Sequence, residues 1–135
     1  MIKLLFLLML PMLTFASISE QAYEFNAAKQ LAVEHESSEI SGCYFACEFD
    51  PHFGVNFESV MAECFDTTAV PQVKSFEVIV VIGKNGVIGS SWLEPNTNIG
   101  QCLSSALEGS QFPNPPFSPF YASIVMHISG SLTGN

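Results

Sequence analysis

The sequence predicts an α+β fold, in which a small antiparallel sheet, made of a hairpin and a C-terminal strand, is packed by helices in two layers. Three observations predict it. Residues 76–93 have the pattern of a hairpin, residues 98–108 carry a helical apolar stripe, and residues 121–128 have the composition of a last strand. The chain of 135 residues is long enough for one domain of ordinary size.

The hairpin is the strongest local signal in the chain. Residues 76–82 (Phe-Glu-Val-Ile-Val-Val-Ile) are β-branched and aromatic, which is typical of a buried strand. The pair Asn85-Gly86 follows within a Gly-rich turn, and Asn-Gly favours a type I′ turn because both residues tolerate positive φ. Residues 87–93 therefore form the returning strand.

The helix predicted after the hairpin is amphipathic over residues 98–108. Thr97 or Asn98 caps its start and Gly109 ends it. Its apolar positions follow the spacing of one helical face: Ile99, Cys102, Leu103, Ala106 and Leu107. The Pro-rich residues 112–119 that follow predict an extended segment. Its Phe117 and the following Phe120 either form an exposed apolar patch or fold back over the sheet, which is the more common outcome. A strand from Tyr121 to Ile128 closes the fold.

Two further helices are predicted before the hairpin. Residues 20–36 are rich in Ala and Glu and follow Ser19, a suitable cap. Residues 37–55 contain Ser, Gly and Pro and predict a locally closed loop. Asn56 is expected to cap a second helix, whose apolar side is Phe57, Val60, Met61 and Cys64.

Residues 1–16 have the layout of a secretory signal peptide. Lys3 precedes an apolar run, and the small residues Thr14 and Ala16 follow it. Cleavage after Ala16 fits best, and cleavage after Ser19 is the second choice. The apolar run is about half of the roughly 20 residues that span a bilayer, so we expect no stable membrane insertion after cleavage. The predicted location is periplasmic or secreted, with an acidic segment at 17–55 and a domain at 56–135.

The net charge of −9 excludes several partners. Nucleic-acid binders need basic stripes, and anionic lipid surfaces attract basic segments, so neither is expected here. The charge is also uneven, because residues 17–66 carry ten acids and one Lys, whereas residues 67–135 carry three acids and two Lys. Acids that solvate exposed helices explain this distribution in the simplest way.

The four cysteines indicate disulfides, since an exported chain meets an oxidising compartment. Three pairings are possible. If the second and third helices cover the same face of the sheet, Cys64 faces Cys102, which leaves Cys43 with Cys47. A Cys43–Cys102 link would contradict this arrangement. The spacing of the cysteines matches neither a thioredoxin-like redox site nor a zinc finger, and we expect no metal and no cofactor.

A search for an active site in the sequence finds none. Ser90 and Ser91 lack the Gly-x-Ser-x-Gly surroundings of a hydrolase nucleophile. His35, His52 and His127 are scattered, and the sequence contains no His-x-x-x-His or Glu-x-x-His pair for a metal. We therefore predict that the protein is not an enzyme.

The order of signals from about residue 56 to 129 resembles the TonB C-terminal domain family. The resemblance rests on the strand 76–82, the Lys84-Asn85-Gly86 turn, the amphipathic helix around Cys102, the Phe-Pro-Asn-Pro-Pro segment 112–116 and the closing strand 123–130. Some members of the family carry one Cys in this helix and another before the first strand, similar to Cys102 and Cys64. The chain departs from TonB in having a cleavable leader in place of a retained anchor and long spacer.

The resemblance implies a non-enzymatic role, because TonB domains add an extended peptide to a sheet edge. The partner is expected to be an envelope protein or an extended peptide. The expected edge is the last strand, with Tyr121, Ser123, Ile124, Val125, Met126, His127 and Ile128 as the binding residues. The unmatched residues 17–55 are the part of the chain that could cover this edge.

The alternative function is that of a small acidic, disulfide-stapled inhibitor or immunity-type protein. Its acidic first half would neutralise a basic toxin or hydrolase by electrostatic complementarity. Charge reversal at Glu34, Glu36 and Glu39 would separate the two functions, because it weakens an acidic inhibitor and leaves an edge-binding module intact.

Overall fold

The computed structural model describes residues 18–67 and 75–127, and in them helices pack on a three-stranded antiparallel sheet. The predicted α+β fold is confirmed. The predicted signal peptide at residues 1–16 and the expected edge residue Ile128 lie outside the described residues.

The described elements include three α-helices, three strands and two short helical turns. The helices are α1 (Ile18–Ser37), α2 (Asp50–Thr67) and α3 (Asn98–Leu107), and the strands are β1 (Phe76–Ile82), β2 (Ile88–Glu94) and β3 (Phe120–Met126). A 3₁₀ turn at Glu39–Ser41 and a π-helical turn at Tyr44–Phe49 join α1 to α2.

The sheet has the order β2-β1-β3, so β1 lies in the centre and the other two strands are edges. Both pairings are antiparallel, with Ile79 opposite Trp92 on β2 and Ser123 on β3. β1 is buried on both faces, which explains its almost uninterrupted β-branched composition.

Helices cover both faces of this sheet. The face with Val78, Val80 and Ile82 packs against α2 and α3, and this layer holds most of the buried apolar side chains. The opposite face, around Ile79, packs against Phe25, Ala28 and Ala32 of α1. The two-layer description therefore applies to residues 50–126, and α1 adds a helix on the other side of the sheet.

The loop predicted over residues 37–55 is wrong in its second half. The π-helical turn begins at Tyr44 and α2 begins at Asp50, not after Asn56. Pro51 lies in the first turn of α2, where the missing N–H costs no α-helical hydrogen bond. The boundary predicted between residues 55 and 56 therefore falls inside a continuous helix.

The predicted hairpin forms, but its turn differs from the predicted type. Gly86 N–H donates to Gly83 O at 2.9 Å, and Gly86 has a φ of 82°. Within the described residues only glycines have positive φ, so Asn85 does not adopt the type I′ conformation. A single left-handed glycine after the turn is the arrangement of a three-residue hairpin loop with a bulge.

Both predicted disulfides are present. Cys64 on α2 pairs with Cys102 on α3 at a Cα–Cα distance of 5.7 Å, because both helices cover the same face of the sheet. Cys43 pairs with Cys47 across the π-helical turn, at a Cα–Cα distance of 5.3 Å.

Of the two outcomes left open for the Pro-rich segment, the structure shows that it folds back over the core, and Phe112 anchors it. The fully buried Phe112 ring stacks against Phe49 and Phe57, with ring centroids at 4.8 and 5.6 Å. Tyr44 adds a hydrogen bond from its hydroxyl to Pro113 O at 2.7 Å. Burial raises the pKa of Tyr44 to about 12.

Candidate functional site

The strand predicted to bind a partner lies at an edge of the sheet, as the resemblance implied. Tyr121, Ser123, Ile124, Val125 and Met126 belong to β3, and His127 follows its end. Ile124 is buried in the core, whereas Val125 is 49% exposed. Edge position alone does not make the strand accessible, because α1 packs closely against it.

The last turn of α1 closes the outer side of β3. Tyr121 N–H donates to His35 Nδ1 at 3.0 Å, and Ser123 N–H donates to Glu36 Oε1 at 2.7 Å. These two amides alternate with those that bond to β1, so they are the amides that a docking strand would use. Strand addition at β3 therefore requires that these two side chains move away.

Burial shifts the pKa values of both side chains that close β3. It lowers the pKa of His35 against the opposing effect of Glu34. Because Nδ1 accepts the Tyr121 hydrogen bond, the imidazole is neutral and carries its proton on Nε2. Burial also raises the pKa of Glu36, and Glu77 and Asp50 raise it further, while the Ser123 hydrogen bond lowers it.

A polar and aromatic network fixes this turn of α1. Ser123 Oγ donates to Glu77 Oε2 at 2.6 Å, and Glu77 forms an ion pair with Lys29 on α1 at 2.8 Å. The His35 ring packs edge-on against Phe117, with centroids 4.9 Å apart. The predicted site residues on β3 are thus tied to the acidic helix that the sequence analysis treated as a separate segment.

The first part of the opposite edge, on β2, is closed by backbone. Ile88 N–H donates to Ser110 O at 3.0 Å, and Ile88 O accepts from Gly109 N–H at 2.8 Å. Phe112 N–H donates to Gly86 O at 2.8 Å. The segment 109–112 therefore acts as a short extra strand at this end, fixed by the buried Phe112 ring.

None of the residues that the structure describes pairs with the rest of the β2 edge. Backbone hydrogen bonding alternates along an antiparallel pair of strands. The backbone of Trp92 bonds to Ile79 on β1, so the backbone groups of Ser91 and Leu93 point away from β1. Among the described residues, the backbone N–H and C=O groups of Ser91 and Leu93 have no hydrogen-bond partner. A row of such groups is a template for an added strand.

Two cavities flank this open stretch, one on each side of the strand. The cavity towards α1 has a volume of about 550 Å³, and its lining includes Glu24, Phe25 and Glu94. The cavity towards α3 has a volume of about 300 Å³, and its lining includes Gln101 and Glu108. Ser91, Leu93 and Asn96 line both cavities. We call this stretch with its two cavities the β2 groove.

The β2 groove is acidic and polar. Its charged lining side chains are Glu24, Glu94 and Glu108, which come from α1, β2 and the end of α3. Ser91 Oγ donates to Glu108 Oε1 at 2.8 Å and shares a short hydrogen bond with Ser104 Oγ. Trp92 is half-buried on the α1 side and stacks on Tyr121 at 5.7 Å between ring centroids.

The polar side chains that line the groove carry hydroxyl, amide and carboxylate groups. The Ser91 hydroxyl meets a hydroxyl and a carboxylate, and no imidazole lines either cavity to act as its base. Within residues 18–67 and 75–127, no cluster of three or more His, Cys, Asp or Glu side chains is placed to hold a metal ion. The His35 ring packs against Phe117, and the His52 ring packs against Phe112.

The β2 groove does not follow from the predicted elements. The sequence predicts Gly89-Ser90-Ser91 only as part of the returning strand, and it offers Ser91 only as a nucleophile without the surroundings of one. The poverty of this segment in β-branched residues is the signal that could have marked an exposed edge. The position of β1 in the centre of the sheet, which makes β2 an edge, is not encoded in any local pattern.

The disulfides indicate an oxidising, extracellular type of compartment, because cytosolic thiols remain reduced. Among the helices described, none has both the length and the apolar character needed to cross a bilayer. Comparison of the chain with protein-family models, with curated proteins and with solved structures finds no match. The resemblance to the TonB C-terminal family therefore stays a prediction.

Proposed function

We propose that this chain is an exported, non-enzymatic interaction module that binds an extended segment of an envelope protein by adding it to a sheet edge. The periplasm or the secreted fraction is its proposed location. The two disulfides and the signal-peptide pattern of residues 1–16 support export. The helix–hairpin–helix–strand order of residues 50–126 supports the relation to TonB-like modules.

One observation supports the proposal: in the described part of the chain, the outward backbone groups of Ser91 and Leu93 have no hydrogen-bond partner, and they lie between two cavities. Strand addition satisfies these groups through main-chain hydrogen bonds, and alternate side chains of the added segment enter the flanking cavities. The geometry therefore supports the β2 groove as the docking edge in place of β3, where His35 and Glu36 hold the corresponding amides.

Proline substitution at outward positions tests the proposal without breaking the ladder to β1. Ser91→Pro removes an N–H that points away from the sheet, so edge position allows it. Ser91→Ala is the matched control, because it removes the same hydroxyl and keeps the N–H. Val125→Pro places the same change on β3, where alternation also directs the N–H outward.

The measurement begins with capture of a binding protein from an envelope extract by the wild-type chain. We expect Ser91→Pro to abolish capture, and Ser91→Ala and Val125→Pro to retain it, with near-ultraviolet circular dichroism confirming that each variant is folded. If the Ser91→Pro variant still captures the binding protein, docking at β2 is wrong. If only the Val125→Pro variant loses capture, the docking site is on β3.

Amide hydrogen exchange of the complex supplies a second, independent readout. Strand addition at the β2 groove slows exchange at the Ser91 and Leu93 amides and leaves that at Tyr121 and Ser123 unchanged. Protection confined to an exposed helix face would contradict strand addition altogether.

A second candidate function is the acidic inhibitor, which the exposed carboxylates of α1 and of the 3₁₀ turn after it favour. Glu34 and Glu39 are both exposed, whereas Glu36 is half-buried and holds the Ser123 amide. The double variant Glu34→Lys/Glu39→Lys therefore tests this function without disturbing β3. It should prevent binding of a basic partner and have little effect on strand addition at the β2 groove.

A further inference from the structure

We propose that the segment that docks in the β2 groove is basic, with Lys or Arg side chains placed to meet Glu24, Glu94 and Glu108. This inference rests on the proposed function and specifies the chemistry of its partner. Three features support this inference: the negative charge of the groove, the alternation of side chains in an added strand, and the half-buried Trp92 indole beside the groove.

The charged side chains that line the groove all carry negative charge. The charged residues that line its two cavities are carboxylates, supplied by three different elements. The chain has only 4 basic residues against 13 acidic ones, and one of the four, Lys29, forms an ion pair with Glu77 on the sheet. An acidic or apolar segment would leave the groove carboxylates unneutralised, whereas a basic segment pairs with them and gains on-rate from the field.

The alternation of side chains in an added strand predicts which positions of the docked segment meet each carboxylate. Successive side chains of the docked segment point to opposite faces of the sheet. Those directed towards α1 meet Glu24 and Glu94, and those between them meet Glu108 on the α3 side. Basic residues two positions apart therefore reach the α1 cavity, and a polar or basic residue between them reaches Ser104 and Glu108.

Trp92 favours a cation on the α1 side. It lines the 550 Å³ cavity with Glu24, and it also lines a neighbouring one of about 340 Å³ together with Tyr23 and Leu31. A guanidinium or ammonium group beside an indole gains a cation–π interaction, which is strongest with Trp among aromatic residues. The carboxylates and the indole together favour binding of a basic side chain over an apolar side chain of the same length.

A phage-displayed library of random ten-residue peptides is the probe. The bait variants are the groove triple Glu24→Gln/Glu94→Gln/Glu108→Gln and a control triple, Glu34→Gln/Glu39→Gln/Glu58→Gln. All six positions are exposed, and both triples remove three charges, so the pair separates the groove from net charge. The chain has 1 Trp, so Trp92 fluorescence reports binding of the selected synthetic peptides.

We expect selection on the wild type to enrich peptides with Lys or Arg two positions apart. The groove triple should weaken their binding by about tenfold, the sum of three partly exposed ion pairs, and the control triple by less than about twofold. Raising the salt concentration should weaken binding to the wild type and have little effect on binding to the groove triple.

The outcomes separate this inference from the proposed function. Enriched peptides without a basic bias that still require the Ser91 N–H overturn the basic partner and leave strand addition standing. Basic peptides that bind both triples equally also overturn it. A wild type that enriches no peptide, or peptides that bind Ser91→Pro unchanged, overturns strand addition at β2. Concentration-dependent dimerisation blocked by Ser91→Pro would show that a second copy fills the groove, and would overturn the basic partner.

Discussion

The two edges of the sheet differ in composition and in how they are closed. β3 reads Phe-Tyr-Ala-Ser-Ile-Val-Met, and side chains of α1 hold its outward amides at Tyr121 and Ser123. β2 reads Ile-Gly-Ser-Ser-Trp-Leu-Glu, and beyond Ile88 no backbone group within residues 18–67 and 75–127 pairs with its outer side. The more β-prone strand is thus the covered one, and the polar, acidic strand is the one left exposed.

This difference shows how the fold manages its edges. An exposed apolar edge strand invites non-specific pairing with other chains, whereas charge and small polar residues on an edge limit it. The helix that covers β3 and the charged Glu94 on β2 both limit non-specific pairing with other chains. If a segment docks at the β2 edge as we propose, the acidic groove makes that docking selective for a segment of matching charge.

The largest expected effect comes from removing the anchor of the covered end of β2. Phe112→Ala should lower the free energy of unfolding by about 3–5 kcal/mol, because the ring is fully buried between Phe49 and Phe57. Urea unfolding measures the loss. The half-buried Phe117 is the control, and Phe117→Ala should cost less than half as much. Equal losses would show that Phe112 is not the anchor of this segment.

The next largest effect is expected at Gly86, and Gly89 on the same edge is its matched control. A Cβ on Gly86 would lie 2.0 Å from Phe112 O, at a φ of 82°, so Gly86→Ala should cost about 2–4 kcal/mol. A Cβ on Gly89 has nothing within 4 Å, so Gly89→Ala should leave stability within about 0.5 kcal/mol. Thermal unfolding of the two variants compares the closed and open parts of β2, and similar costs would contradict that division.

Opening β3 should cost less. Glu36→Ala leaves the Ser123 amide without its acceptor and should destabilise the fold by about 1–3 kcal/mol. Glu36→Gln keeps an acceptor oxygen and removes a carboxylate whose burial is unfavourable, so its loss should be smaller. Urea unfolding gives both values, and hydrogen exchange should quicken at Ser123 in the Ala variant alone. Unchanged exchange there would show that Glu36 does not close the edge.

The smallest effect is a pH dependence at the same place. The pKa of His35 is lower in the folded protein than its usual 6.5, so the unfolded chain binds the proton first as the pH falls. The contribution of His35 to stability is therefore fully present above pH 6.5 and is lost as the pH falls through the lowered folded value. The raised pKa of Glu36 acts with the opposite sign, at pH values above 4.5.

The difference in unfolding free energy between the wild type and His35→Gln isolates the imidazole from Glu36. We expect this difference to shrink on acidification below pH 6.5. A difference that stays constant with pH would show that the Tyr121 amide does not depend on a neutral His35.

Local patterns were sufficient for most elements and for the disulfides. The 76–82 strand, the helix capped at Thr97 and the closing strand lie within two residues of their predicted bounds. α2 starts at Asp50 and not after Asn56, although Pro51 and Gly54 are typical of a turn. Pro at the first turn of a helix is compatible with it, and sequence alone does not reveal which turn a proline occupies.

The sequence by itself determined the α+β class, the hairpin, the amphipathic α3 and the pairing of Cys64 with Cys102. Each of these depends on periodicity or composition within a short stretch, or on two apolar helix faces that must meet. Only the tertiary structure decided that β1 is central, that α1 closes β3, and that the groove at Ser91 and Leu93 stays open. Strand order and edge coverage arise from contacts between residues as much as 87 positions apart, which no local pattern specifies.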